Sequence, residues 1–108
     1  MSQNGEVIVF VTTRTASEAK KLGKTVVSEE LAACVTILGT CKSLYRWNGK
    51  IQENSEVLMM IKTTARCYQS LQRRIKGLHS YAVPEIVAIS ITKGLPDYLD
   101  WIRKSVRK

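Results

Sequence analysis

The chain predicts an α+β fold, a ferredoxin-like split βαβ in the order β-α-β-β-α-β-α with a long β-hairpin, and three observations carry it. Two apolar, β-prone runs flank Asn48-Gly49, the dipeptide that most readily takes positive φ at both centres of a type I′ turn. Two further β-branched runs, Glu6 to Thr13 and Glu85 to Thr92, stand near the ends of the pattern. Between strands lie two stretches with apolar residues at helical spacing, each opened by a threonine suited to capping. Two helices then cover one face of an antiparallel sheet, and a short helix follows.

Taken in order, EVIVFVTT (Glu6 to Thr13) is a continuous β-branched run and reads as a buried strand. Thr15-Ala-Ser-Glu18 fits a capping box. Ala19, Leu22, Val26 and Val27 then carry a helix to about Leu31, with Lys20, Lys21 and Lys24 outward. Gly23 inside that helix costs about 1 kcal/mol relative to alanine, so close packing against the sheet is expected there.

The hairpin occupies Cys34 to Thr64. Each arm has roughly 14 residues, far above the usual strand, and at about 3.3 Å per residue spans roughly 45 Å. A compact domain of about 100 residues has a radius of gyration near 13 Å, so the tip, with Leu44, Tyr45, Trp47 and Ile51, should overhang its own body. Bare apolar ribbons invite pairing, which predicts an oligomer joined through these hairpins. Gly39 marks a bulge or bend. The two-residue turn places Tyr45 opposite Gln52 and Leu44 opposite Glu53. On the second arm Ile51, Val57, Met59 and Ile61 alternate with Gln52, Asn54, Glu56 and Lys62, while Leu58 and Met60 suggest that the second face is also covered near the base.

Thr63 or Thr64 caps a second helix running to about Leu78, with Tyr68, Leu71, Ile75 and Leu78 as its apolar stripe. His79 to Val83 is a connector, and Pro84 opens a third buried strand region through Thr92. Pro96 suits the first turn of a final helix bearing Tyr98, Leu99, Trp101 and Ile102. The whole of residues 1–108 reads as one domain, with 1–5 and 104–108 as flexible tails.

Seventeen basic against nine acidic side chains give a formal charge of +8, but the cations form no continuous run, and their three main groups read as solvated helix faces and a tail. The N-terminal MSQNGE lacks the order of a signal peptide, and the early apolar run Val7 to Val11 is too short to span a bilayer. Three cysteines without framework spacing fit reduced thiols, so a cytoplasmic location is expected.

Metal chemistry has its candidates in His79, Glu85 and Cys41, with Cys34, Cys67, Met59 and Met60 as further soft donors. Cys34 and Cys41 are seven apart, on opposite faces of a regular strand unless a bulge at Gly39 reverses them. His79, Tyr81 and Glu85 could form an acid–base group, yet no nucleophile or oxyanion motif accompanies them, which favours a non-enzymatic role. Tyr45, Trp47 and Trp101 suit an interface or a ligand cleft, and Lys62 could meet an anion there or pair with Glu56 or Glu85. An RNA-recognition domain shares the βαββαβ order, but its third strand carries stacking aromatics where this chain has Val57-Leu-Met-Met-Ile61, and Phe10 alone is insufficient. No glycine-rich phosphate loop supports a nucleotide sensor.

Five separated segments nevertheless agree with one family. Glu30-Leu-Ala-Ala-Cys34, Ser43-Leu-Tyr-Arg-Trp-Asn-Gly-Lys50, Glu56 through Lys62-Thr63, His79-Ser-Tyr-Ala-Val-Pro-Glu-Ile86 and Tyr98-Leu-Asp-Trp-Ile102 resemble the CutA divalent-cation-tolerance proteins, in the same order and at family-like spacing. The resemblance implies a homotrimer akin to PII signalling proteins, with long hairpins meeting neighbours around a threefold axis. It implies a role in tolerance of copper or other divalent cations, a small-molecule or metal-binding module rather than an enzyme, and clefts between subunits that would draw on Tyr45, Trp47, Lys62, His79, Tyr81, Glu85 and Trp101. Copper-binding relatives use a cysteine near the end of the first strand and two adjacent histidines; the matching positions here are Val11, Leu78 and His79, so one of the three ligands is kept. Ser80 and Ala82 also depart from the family's usual histidine motif.

Overall fold

A computed structural model describes residues 5–107. Its elements are β1 (Glu6–Thr13), α1 (Ala16–Ser28), β2 (Cys34–Trp47), β3 (Lys50–Thr64), α2 (Ala65–Leu78), β4 (Ile86–Ser90) and α3 (Pro96–Ser105), in the expected order. The four strands form one antiparallel sheet in the order β2-β3-β1-β4, the ferredoxin-like arrangement. Among the described residues no helix is long and apolar enough to cross a membrane.

Alternation along the strands decides which face is covered. Val7, Val9 and Val11 of β1 and Val57, Met59 and Ile61 of β3 point to the helices, where they pack with Ala19, Leu22 and Val26 of α1 and Leu71 and Ile75 of α2. Gly23 is where α1 comes closest, since a Cβ there would lie 3.2 Å from Val35 Cγ1. The opposite face lies away from α1 and α2, and α3 reaches it where Arg103 pairs with Glu6. Ile8, Phe10, Leu58 and Met60 are half-buried there, and Val87 and Ile89 of β4 are exposed.

The hairpin is as long as expected, with arms of 14 and 15 residues. Asn48 (φ 52°) and Gly49 (φ 75°) both take positive φ at its turn. Tyr45 pairs with Gln52 and Leu44 with Glu53. The register shifts between Ile37 and Gly39, and Gly39 takes a φ of 110° that a side chain would oppose. The whole chain stretches to 44 × 26 × 22 Å with a radius of gyration of 14.4 Å, above the value of about 13 Å for a compact chain of this size.

Several boundaries differ from expectation, each for a local reason. Helix α1 ends at Ser28, because Glu30 adopts φ 60° and turns the chain so that Leu31 and Ala32 enter the core and Ala33 N–H donates to Lys62 O at 2.8 Å. The buried stripe of α2 is Cys67, Leu71 and Ile75; Leu78 is exposed, and the His79 side chain, next along the chain, is buried instead. Strand β4 is shorter than Glu85 to Thr92 and is an exposed edge rather than a buried strand, since only β1 pairs with it. Part of the expected C-terminal tail is docked. Val106 is buried and Arg107 donates to Glu29 O at 2.7 Å, and just before the tail Ile102 is buried and Arg103 pairs with buried Glu6 at 2.8 Å. The first four residues and Lys108 lie outside the described residues.

Candidate functional site

Where the hairpin leaves the body, it walls a groove of about 870 Å³ against the connector between α2 and β4. Its lining includes Thr12 and Arg14 from the end of β1, Tyr45, Trp47, Asn54 and Glu56 from the hairpin, and Tyr81 and Glu85 from the connector. The alternation of β2 and β3 sends these hairpin side chains to one side. Tyr45 and Asn54 are hydrogen-bonded to each other across the two arms. Tyr81 OH donates to Glu56 Oε2 at 3.0 Å and so ties the connector to the hairpin. Burial, then the Glu56 carboxylate, push the Tyr81 phenol up to about 12, so it stays a proton donor across the neutral range.

His79 sits behind Tyr81, with ring centroids 4.8 Å apart and its side chain fully buried. Tyr81 N–H donates to Nδ1 at 3.0 Å, which leaves Nε2–H to donate to Thr12 O at 2.7 Å. Both ring nitrogens are therefore committed. Glu18 holds the same connector from the helix side: its carboxylate accepts from Ser80 N–H at 2.8 Å, Ser80 Oγ at 3.0 Å and Arg14 N–H at 3.2 Å. Burial works to raise the Glu18 carboxyl, but these donors outweigh it and hold the group below the usual carboxylate range. The capping box is thus half made. Thr15 Oγ1 accepts from Glu18 N–H at 3.1 Å as expected, while the carboxylate turns to Ser80, 62 positions away.

The expected site residues divide. Tyr45, Trp47, Tyr81 and Glu85 meet in the groove, with His79 beneath Tyr81. Lys62 lies elsewhere, donating to Thr36 Oγ1 at 3.3 Å with Cys34 Sγ at 4.0 Å, and it pairs with neither Glu56 nor Glu85. Trp101 packs on Tyr98 of α3, with ring centroids 5.5 Å apart, outside the groove lining.

Metal donors do not converge within one chain: among the described residues no group of three or more His, Cys, Asp or Glu is placed to hold an ion. The bulge does bring Cys34 and Cys41 to one face, since their partners Lys62 and Glu56 are an even number of residues apart. Six residues of strand, however, put them about 20 Å apart. Cys67 is buried and donates to Arg107 O at 3.1 Å, Met59 is core, and Met60 points to the opposite face. His79, Glu85 and Cys41 do not form a ligand set in the single chain. Arg14, Glu18, Asn54 and the Tyr81 partnership of Glu56 were not anticipated. Only Glu18 carried a signal, its capping spacing, and nothing local pointed to Ser80.

A family profile described as "CutA1 divalent ion tolerance protein" matches residues 7–105. The divalent-cation tolerance protein CutA of Thermus thermophilus is 43% identical over 100 residues, covering 93% of this chain and 97% of that one. A protein of Arabidopsis thaliana named "Protein CutA, chloroplastic" is 41% identical over 101 residues; the match covers 94% of this chain but 56% of that longer protein. The crystal structure of CutA1 from Oryza sativa superposes with a TM-score of 0.94 at 37% identity, covering 99% of both chains. With the profile spanning nearly every element and the fold agreeing across its length, the chain belongs to the CutA1 divalent ion tolerance family.

Proposed function

We propose that this chain works as a homotrimeric divalent-cation-tolerance protein, a PII-like binding and assembly module without catalytic activity of its own. The observation that carries the reading is the overhanging hairpin, where Leu44, Trp47 and Ile51 are 65%, 64% and 63% exposed beyond the reach of either core helix. The sheet face away from α1 and α2 supports it, because Ile8, Phe10, Leu58, Met60, Val87 and Ile89 make one partly open apolar surface. Pairing hairpins with copies covers both and satisfies the unpaired edges of β2 and β4.

In this reading the cleft is completed between subunits: Tyr45, Trp47, Tyr81 and Glu85 come from one copy, and Lys62 and Trp101 from another. A metal ion, copper first, binds across the same junction through Glu85 or Cys41 with donors of a neighbour. His79 takes part only if Nδ1 is released from Tyr81 N–H. Three thiols with no disulfide among the described residues support a reducing compartment, the cytosol first.

Native mass spectrometry with and without Cu(II) and Zn(II) tests subunit number and stoichiometry together. Three copies, and metal counts in whole numbers per trimer, are expected; a stable single chain at micromolar concentration overturns the reading. Titration calorimetry on His79→Ala then separates its two roles. A destabilised fold with unchanged copper affinity marks a purely structural histidine, and lost affinity in a folded variant marks a ligand.

A further inference from the structure

On the outer side of α1, away from the hairpin groove, α1 and the first half of β2 enclose a trough of about 550 Å³. Lys20, Gly23, Lys24, Val27 and Ser28 of α1 and Val35 and Ile37 of β2 line it. The five helix positions fall on one stripe, at i, i+3, i+4, i+7 and i+8. Gly23 lets the helix backbone rest on Val35, while Val27 and Ile37 stand up on either side, 41% and 40% exposed. The floor and walls are thus aliphatic apart from Ser28.

The rim is cationic and uncompensated. Lys20 and Lys24 lie one helical turn apart, both exposed, and among the described residues neither has an ion-pair partner. No acidic residue lines the trough. Lys42, Lys104, Arg74 and Arg103, by contrast, are each neutralised by a carboxylate. An apolar slot of this volume with a few convergent polar groups is the usual form of a small-ligand site. Its chemical complement has an aliphatic tail and one anionic head.

We propose that this trough binds a free medium-chain aliphatic carboxylate. The tail lies over Val27, Val35 and Ile37, and the carboxylate sits between the Lys20 and Lys24 ammonium groups. Charge complementarity selects the head, because two donors one turn apart can share one carboxylate. The tail sets affinity, since each methylene fully withdrawn from water tightens binding about fourfold, and less where the slot stays half-open. The net charge of +8 adds attraction that salt screens.

The test is a titration of the full chain in its native assembly with sodium octanoate, followed by amide chemical shifts, with octylamine as the charge-reversed control. Saturable shifts confined to residues 20–28 and 35–37 are expected, together with no response to octylamine. Affinity should tighten by about two- to fourfold per added methylene from hexanoate to octanoate. Lys20→Gln/Lys24→Gln, two exposed changes that leave the core intact, should weaken octanoate by about tenfold or more. Equal response to octylamine, shifts only in the hairpin, or an unaffected double variant overturns the proposal. A change of subunit number in the double variant would assign the trough to contact between copies, and co-sedimentation with phosphatidylglycerol vesicles without an octanoate response would assign it to a membrane surface. Either result also overturns it.

Discussion

His79 is the residue on which the connector is built. Its two nitrogens satisfy Thr12 O and Tyr81 N–H, both in or near the buried interior. Losing them leaves unpaired groups and a cavity, so His79→Ala should cost about 2–4 kcal/mol in urea unfolding. Glu18 gives the connector a pH dependence. Its folded pKa lies below the ordinary 4.5, so its contribution is complete above that value and is lost as pH falls through the lower folded pKa. Glu18→Gln should therefore flatten the acid limb: the stability gap from wild type narrows as pH falls below 4.5, read from denaturant midpoints. Tyr81 acts at the other end. Its pKa is raised from 10.0 to about 12, so its contribution is complete below pH 10 and lost as pH rises through 12. Ultraviolet phenolate titration should show Tyr81 as the latest tyrosine, with Tyr68 also delayed by burial, and Glu56→Ala should bring Tyr81 partway back toward 10.

Among the elements, two helical glycines make opposite predictions. Gly77 has open space where a Cβ would go, so Gly77→Ala should stabilise by about 0.5–1 kcal/mol. Gly23 would bring a Cβ within 3.2 Å of the stiff, β-branched Val35, so Gly23→Ala should show none of that gain in thermal unfolding. The close approach at Gly23, the Asn48-Gly49 turn and the bulge at Gly39 were all legible, because each follows from what one or two neighbouring residues can adopt. What escaped was set at long range. The end of α1 depends on Glu30 turning Leu31 into a core formed by distant strands. Glu18 finds Ser80, and Arg107 finds Glu29, across separations that no local pattern encodes. The groove residues Tyr45, Trp47, Tyr81 and Glu85 were visible as aromatic and acidic candidates, whereas the separation of Lys62 and Trp101 from them depends on tertiary placement.

At the scale of the whole molecule, one sheet serves two audiences. Its helix side closes a core within the chain, and its other side with the hairpin tip offers apolar surface outward. Trp47→Ser together with Leu44→Ser should leave the fold intact, since both side chains are exposed and touch no core residue, yet lower the average mass in analytical ultracentrifugation. An unchanged mass would place the contacts between copies on the sheet face instead.

The extra residue at Leu38 carries a consequence for how such hairpins can vary. It acts as a parity switch: everything tipward of it is turned half a pleat relative to everything below. Deleting it would force either the root or the summit of the ribbon to roll over, exchanging Tyr45 and Ser43 for Leu44 and Arg46 on a given side. Ribbons of this design can therefore lengthen or shorten only in matched pairs of residues, unless a second insertion restores the phase.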